Sequence, residues 1–217
     1  MPLASHTRRA TTALQECVLA GDVEKMAELL SEKKSPCDDA RRQILSRHSD
    51  ELFIKSYMLD CINQYSKIRP RALIITSSAV YHIILSQDGA GKVRRYKRFP
   101  ASSITYVHYG FFSCDRSRFG VRLAIADERS GGLAKVYTPS ATKDSDRCSE
   151  ELIEEIAQVL NCVLRAAKGP EGVGLVNRSC LDKPSVPTGI ARAVADTLSG
   201  RLIQKRIAGS PHSMSCD

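Results

Sequence analysis

Arg71-Ala-Leu-Ile-Ile-Thr76-Ser-Ser-Ala79-Val-Tyr-His-Ile-Ile-Leu85 decides the architecture. Two runs rich in Ile, Val, Leu and Tyr flank the short break Ser77-Ser78. β-Branched and aromatic side chains suit a pleated surface, and so short a break between two such runs predicts an antiparallel hairpin. Working outward toward the N-terminus, Leu52-Phe53-Ile54 and the stretch from 57 to 62 supply a long first strand region. On the other side, Gln87-Asp-Gly-Ala-Gly91 is a turn cluster. Residues 93–99 alternate into a fourth strand ended by Pro100. Residues 104–109, 119–126 and 133–137 read as the fifth to seventh strands, joined by loops at 110–117 and 127–132.

A helix follows. Leu152, Ile153, Ile156, Val159, Leu160, Val163 and Leu164 form a broad apolar stripe, with Ser149 as N-cap and Gly169-Pro170 as terminator. Glu150 and Glu151 near its start, and Arg165 and Lys168 near its end, complement the helix dipole. Seven strands followed by one amphipathic helix predict an α+β fold. The expected form is a bent, seven-stranded antiparallel barrel or sandwich whose open end the helix caps.

The first fifty residues read as helices. Ala10, Ala13, Leu14, Cys17 and Val18 recur at helical spacing up to Gly21. Asp22 offers an N-cap for a second helix carrying Val23, Met26, Ala27 and Leu30. Beyond Pro36, a third runs from 38 toward 48 with Ala40, Ile44 and Leu45 aligned. The expected organisation is a helical extension at 1–50, the β-domain at 51–167 and a basic, flexible tail at 168–217. Within the tail, Ile190, Val194, Leu198 and Leu202 fall four apart among arginines, a candidate basic amphipathic helix.

The chain has 217 residues, 42% hydrophobic and 26% charged, which is globular composition and excludes wholesale disorder. Its eight cysteines contain no C-x-x-C pair and do not cluster with the histidines, so they read as reduced, small hydrophobes rather than metal ligands or disulfides. The N-terminus has no secretory h-region, and no apolar run approaches the ~20 residues of a membrane span, so a cytoplasmic protein is expected, peripheral at most on membranes.

Asp88-Gly-Ala-Gly-Lys92 superficially resembles a phosphate loop, but Ser86 replaces its first glycine, Val93 its Ser/Thr, and it joins two strands. No cysteine has an arginine six positions on, and His82 and His108 fall inside strands, so no catalytic group and no cofactor is expected.

The functional signal is basic. The net charge is +8. Lys67, Arg69 and Arg71 lie in the first interstrand loop and at the start of the second strand, while Lys92, Arg94, Arg95, Lys97 and Arg98 occupy the fourth. In a meander these elements approach at one end. Lys67, Arg69, Arg71, Arg94, Lys97 and Arg98 are therefore expected to bind an anion, the arginines offering planar forks suited to phosphate. The partner is an anionic phospholipid membrane or an acidic protein surface. Nucleic acid would call for aromatics interleaved with the basic residues, and that pattern is weak here. A protein-interaction or homodimerisation module without lipid binding is the alternative.

Tyr57-Met-Leu-Asp-Cys-Ile-Asn-Gln-Tyr65 followed by Arg71-Ala-Leu-Ile-Ile-Thr76 resembles the homology domain attached to the Sac-two inositol phosphatase and found in the tumour-protein-regulated-gene family. The similarity continues through Arg98-Phe-Pro-Ala-Ser-Ser-Ile-Thr-Tyr106, Tyr109-Gly-Phe-Phe112 and Gly120-Val-Arg-Leu123. Arg69-Pro-Arg-Ala-Leu-Ile-Ile-Thr-Ser-Ser-Ala-Val-Tyr81 is also similar to the tail-homology domain of class I myosins. Both resemblances imply a pleckstrin-homology (PH)-like fold. Lys55 with Arg69-Pro-Arg-Ala-Leu73 further fits the loose PH signature of a Lys followed by basic-x-Arg and two hydrophobics. The first family implies adaptor or self-association roles beside phosphoinositide enzymes. The second implies acidic-phospholipid binding through Lys67, Arg69 and Arg71. Neither a phosphatase nor a motor activity carries over.

Overall fold

A computed structural model describes residues 3–31, 37–63, 67–86, 92–113, 115–126, 133–140, 149–172 and 174–181. Three helices come first: α1 (Leu3–Ala20), α2 (Val23–Leu29) and α3 (Asp38–Leu45). Gly21 turns the chain between the first two at φ 66°, and the Asp22 carboxylate caps α2 by accepting the Lys25 N–H at 2.9 Å. The strands are β1 (Phe53–Ile62), β2 (Ile68–Thr76), β3 (Ala79–Leu85), β4 (Val93–Pro100), β5 (Ile104–Phe112), β6 (Asp115–Ile125), β7 (Leu133–Pro139) and β8 (Val176–Arg178); helix α4 (Ser149–Lys168) lies between the last two.

The strands form one sheet in the order β4-β3-β2-β1-β7-β6-β5-β8. Two antiparallel meanders, β1 to β4 and β5 to β7, meet where β1 pairs with β7, Cys61 opposite Tyr137. β4 and β8 remain as edges, so the sheet is a sandwich that does not close on itself. Helix α4 spans the gap between the meanders, packing on β2 from one and β5, β6 and β7 from the other. This is the PH-like α+β arrangement that seven strands and a capping helix led one to expect.

Burial explains why β2 and β3 read as unbroken apolar runs: both faces are covered. Leu73, Ile75 and Val80 join the main core with Ile153, Ile156, Leu160 and Val163 of α4. Ala72, Ile74, Tyr81 and Ile83 face a second core closed by Ala40 and Ile44 of α3. Cys17, Val18, Met26 and Leu30 belong to the main core, so α1 and α2 complete the same interior as the sheet. Cys17, Cys37, Cys61 and Cys162 are buried free thiols and Cys180 is an exposed one.

Two expectations are corrected. The fifth and sixth strands reach farther into the 110–117 loop than their sequence suggested, because Phe111 and Phe119 stack edge-to-face with centroids 4.8 Å apart and hold the hairpin together. The first part of the expected tail is structured as well. Gly169–Gly172 forms a 3-10 turn, and β8 then runs parallel to β5, with Val176 opposite Val107. Leu181 is buried beside Ile62, Phe112 and Val136, and that apolar anchor is the physical reason the segment packs. The amphipathic stretch at 188–207 lies outside the described residues.

The β5–β8 contact depends on Gly110. It has φ 152°, and a Cβ there would sit 2.1 Å from the Ser179 carbonyl oxygen. Gly110→Ala is expected to lower stability by about 2–3 kcal/mol and to expose residues 174–181 to limited proteolysis. Gly174, at φ 82° with open space around it, should lose only about 1 kcal/mol on the same substitution. Equal losses for the two in urea denaturation would contradict the close-approach explanation.

Candidate functional site

β2 and β4 both run antiparallel to β3, so they are parallel to each other and begin at the same end of the sheet. Arg69 and Arg71 stand at the start of β2, Arg94 and Arg95 at the start of β4. Ala72 pairs with Ile83, and one step farther on Ile84 pairs with Arg95, so Arg71, Ile84 and Arg95 fall in one row across three strands. Two strand spacings separate the row's ends, ~10 Å. A register shift between Ile84 and Leu85 marks a bulge, which lets the consecutive residues Arg94 and Arg95 both face one cleft.

That cleft holds about 730 Å³ and is lined by Arg69, Arg71, Arg94 and Arg95 above a floor that includes Met58, Pro70, Ile84 and Leu85. The volume suits a small polar ligand. Among the described residues, no acidic side chain lines it and none of these four arginines has a carboxylate partner. Arg71 is steadied by donating from Nη1 to the Pro70 carbonyl at 2.6 Å.

Of the six residues expected from the sequence, Arg69, Arg71 and Arg94 therefore come together, and Arg95 joins them. The other three do not line the cleft. Lys67 is exposed, its backbone N–H bonded to Asn63 Oδ1 at 2.9 Å. The Lys97 ammonium lies 5.4 Å from the centre of the Phe99 ring. Arg98 turns the opposite way from a ligand role: its Nε and Nη2 donate to Glu51 Oε1 at 2.8 and 2.7 Å, and Nε also donates to Tyr81 Oη at 3.2 Å. Lys55 of the PH signature is buried, and its Nζ donates to the Leu30 carbonyl at 3.3 Å, where it serves the C-terminal end of α2.

Behind the cleft, His82 Nδ1 and Tyr137 Oη form a 2.8 Å hydrogen bond in the interior. Burial, aided by the cations Lys135 and Arg71, pushes His82 down to about 4. Burial pushes the Cys61 thiol up, and the same two cations partly oppose it. Arg71 thus projects its charge toward the cleft and the interior alike. Lys135, on β7, was not singled out by sequence, since no basic run surrounds it.

His82 should remain neutral in an NMR titration down to pH near 4. Its unfolded value lies near 6.5, so the unfolded chain binds the proton first, and stability should be full above pH 6.5 and fall as pH drops from there toward 4. An imidazole titrating near 6.5 in the folded protein would contradict that burial.

Fold and cleft together define a class: a PH-like α+β module with a basic cleft at one end of its sheet. No family model matches the chain, and no curated protein sequence does. Among solved structures, it is similar to the hSac2 domain of the human phosphoinositide phosphatase Sac2, at 15% identity and TM-score 0.46 over 69% of this chain and 92% of that one. It is similar to the Vps36 N-terminal PH domain at 18% identity and TM-score 0.36, over 52% of this chain and 80% of that one. A third is the DH/PH portion of PDZ-RhoGEF in complex with activated RhoA, at 13% identity and TM-score 0.38, over 73% of this chain and 41% of that one. Among the described residues, no helix is long and apolar enough to cross a membrane.

Proposed function

We propose that this protein is a non-enzymatic PH-like adaptor that docks on anionic, phosphoinositide-bearing membrane through Arg69, Arg71, Arg94 and Arg95. The observation that carries the proposal is that these four arginines line one cleft and, among the described residues, none of them pairs with a carboxylate. Guanidinium forks match phosphate oxygens two at a time, and a cluster of like charge without internal partners is completed by an anion. Each basic group near an anionic surface contributes about 1 kcal/mol, and the attraction decays over a Debye length of ~10 Å at 0.1 M salt.

Sedimentation with phosphatidylcholine vesicles, with and without a phosphoinositide, tests this. Binding is expected only with the phosphoinositide and should weaken steeply as salt rises; absence of binding at low salt rejects the proposal. A second reading, a protein-docking or homodimerisation module, is favoured by Leu19 and Leu29 of the N-terminal helices, which are 71% and 46% exposed. Light scattering over a concentration series separates it: a mass that rises toward a dimer supports the second reading.

A further inference from the structure

A second pocket adjoins the arginine cleft, and the end of α3 with the turn that follows it builds its far wall. It holds about 320 Å³ and is lined by Gln43, Ile44 and Arg47 on one side and by Val93, Arg94, Arg95 and Tyr96 on the other. Arg94 and Arg95 also line the larger cleft, so the two pockets share a wall. We propose that this pocket is a second phosphate subsite, and that the ligand is a headgroup carrying two phosphate monoesters, one in each pocket. The inference rests on the anion-binding reading above and adds to it a named role for the N-terminal helical segment.

Three observations carry it. First, the two arginines of α3 are neutralised within the helix, while Arg47, in the turn just after it, is not. Arg41 pairs with Asp38 at 3.6 Å and Arg42 with Asp39 at 2.6 Å, whereas Arg47 has no carboxylate partner among the described residues. Second, the wall is held in position. The Arg47 guanidinium lies 6.0 Å from the centre of the Tyr96 ring, and His48 packs on Tyr81 and Tyr96 at centroid separations of 5.5 and 6.4 Å. Ile44 is buried in the core beneath. Third, the pocket is lined by donors. Gln43 Oε1 accepts the Val93 N–H at 3.3 Å, which spends the oxygen and leaves the amide nitrogen to donate. Three arginines and a glutamine, with no acid among the described residues of the lining, suit a dianionic phosphate, which offers only acceptors.

A single phosphate would need only one pocket. Two pockets meeting at Arg94 and Arg95 favour a ligand whose two phosphates share those arginines and occupy either side. Arg47 then separates doubly from singly phosphorylated headgroups, since only the former reaches it.

Calorimetric titration of the full chain with a soluble inositol bisphosphate and with an inositol monophosphate tests this. The Arg47→Gln variant should bind the bisphosphate at least tenfold more weakly and the monophosphate unchanged. Arg42→Gln, which removes an equal charge from an exposed position on the preceding helix α3, should leave both affinities as they were. Adding the soluble bisphosphate to vesicle-bound protein distinguishes sources: release shows that free headgroup and lipid compete for the same pockets. Equal weakening toward both ligands, equal weakening by Arg42→Gln, or no effect of Arg47→Gln overturns the second subsite while leaving the arginine cleft intact. Failure of the unaltered chain to bind either ligand or the vesicles overturns both.

Discussion

Glu51→Ala should lower the unfolding free energy by about 3 kcal/mol, the largest loss expected from any single side chain outside the apolar cores. The Glu51 side chain is 1% exposed. It accepts from Thr76 Oγ1 on one oxygen and from Arg98 Nε and Nη2 on the other. Through these bonds it joins the segment entering β1 to the end of β2, and through Arg98 to Tyr81 on β3. Removing the carboxylate strands a guanidinium in a protein-lined site. Arg98 is 33% exposed and can recover some hydration, which keeps the expected loss at the lower end for a broken buried pair.

The network also gives a pH signature. Burial alone would raise the Glu51 carboxyl, but the Thr76 hydroxyl, the Arg98 guanidinium and the Tyr81 hydroxyl outweigh it and hold the group below its usual 4.5. The folded value is the lower one, so the contribution is complete above pH 4.5 and disappears as pH falls through the folded value. Urea denaturation from neutral to acid pH checks both points. In the Glu51→Gln protein the acid loss should flatten, and the Glu51→Ala/Arg98→Ala double variant should be less destabilised than additivity requires. A loss below about 1 kcal/mol for Glu51→Ala would contradict the account.

Reversing charge at Arg69 and Arg94 together should abolish binding to phosphoinositide vesicles at about 0.1 M salt. Each substitution removes an attraction of about 1 kcal/mol and installs a repulsion of similar size, so the pair costs about 4 kcal/mol, or about a thousandfold in affinity. Both side chains are exposed, so Arg69→Glu/Arg94→Glu should unfold at the same urea concentration as the parent. Lys67→Glu should weaken binding far less, because Lys67 lies outside the cleft lining. Vesicle sedimentation reads the comparison directly. A double variant that still binds, or a Lys67 variant that fails equally, places the attraction elsewhere.

The parts of this molecule that were legible in sequence are those whose signal is local. The β2–β3 hairpin was readable because two apolar runs flank a two-residue break, and α4 because its stripe repeats at helical spacing across Leu152, Ile156, Leu160 and Val163. The basic character of β2 and β4 was equally plain. What escaped depends on partners far away in the chain. Arg98 looked like its neighbours in a basic run, and only the fold brings Glu51 against it. Lys55 fitted a binding signature, and only α2 packing on β1 shows that it serves the Leu30 carbonyl.

Arg95 was visible in the basic run of the fourth strand but not among the six expected ligands; what sets it beside Arg94 is the bulge opposite Ile84 and Leu85, which no local pattern announces. β8 is three residues long and pairs with β5 through backbone bonds, so its side chains carry no strand period. The aligned residues Ala40 and Ile44 announced an apolar helical face, but nothing local revealed that it would cover the outer side of β2 and β3.

Side-chain NMR of the arginine Nε–Hε groups during titration with a soluble inositol bisphosphate probes the cleft most directly. Saturable shifts at Arg69, Arg71, Arg94 and Arg95, with Arg98 unmoved on its Glu51 anchor, are the predicted result. If those four resonances stay still while vesicles bind, or if ligand moves only residues away from β2 and β4, an anion-binding cleft at this end of the sheet is contradicted.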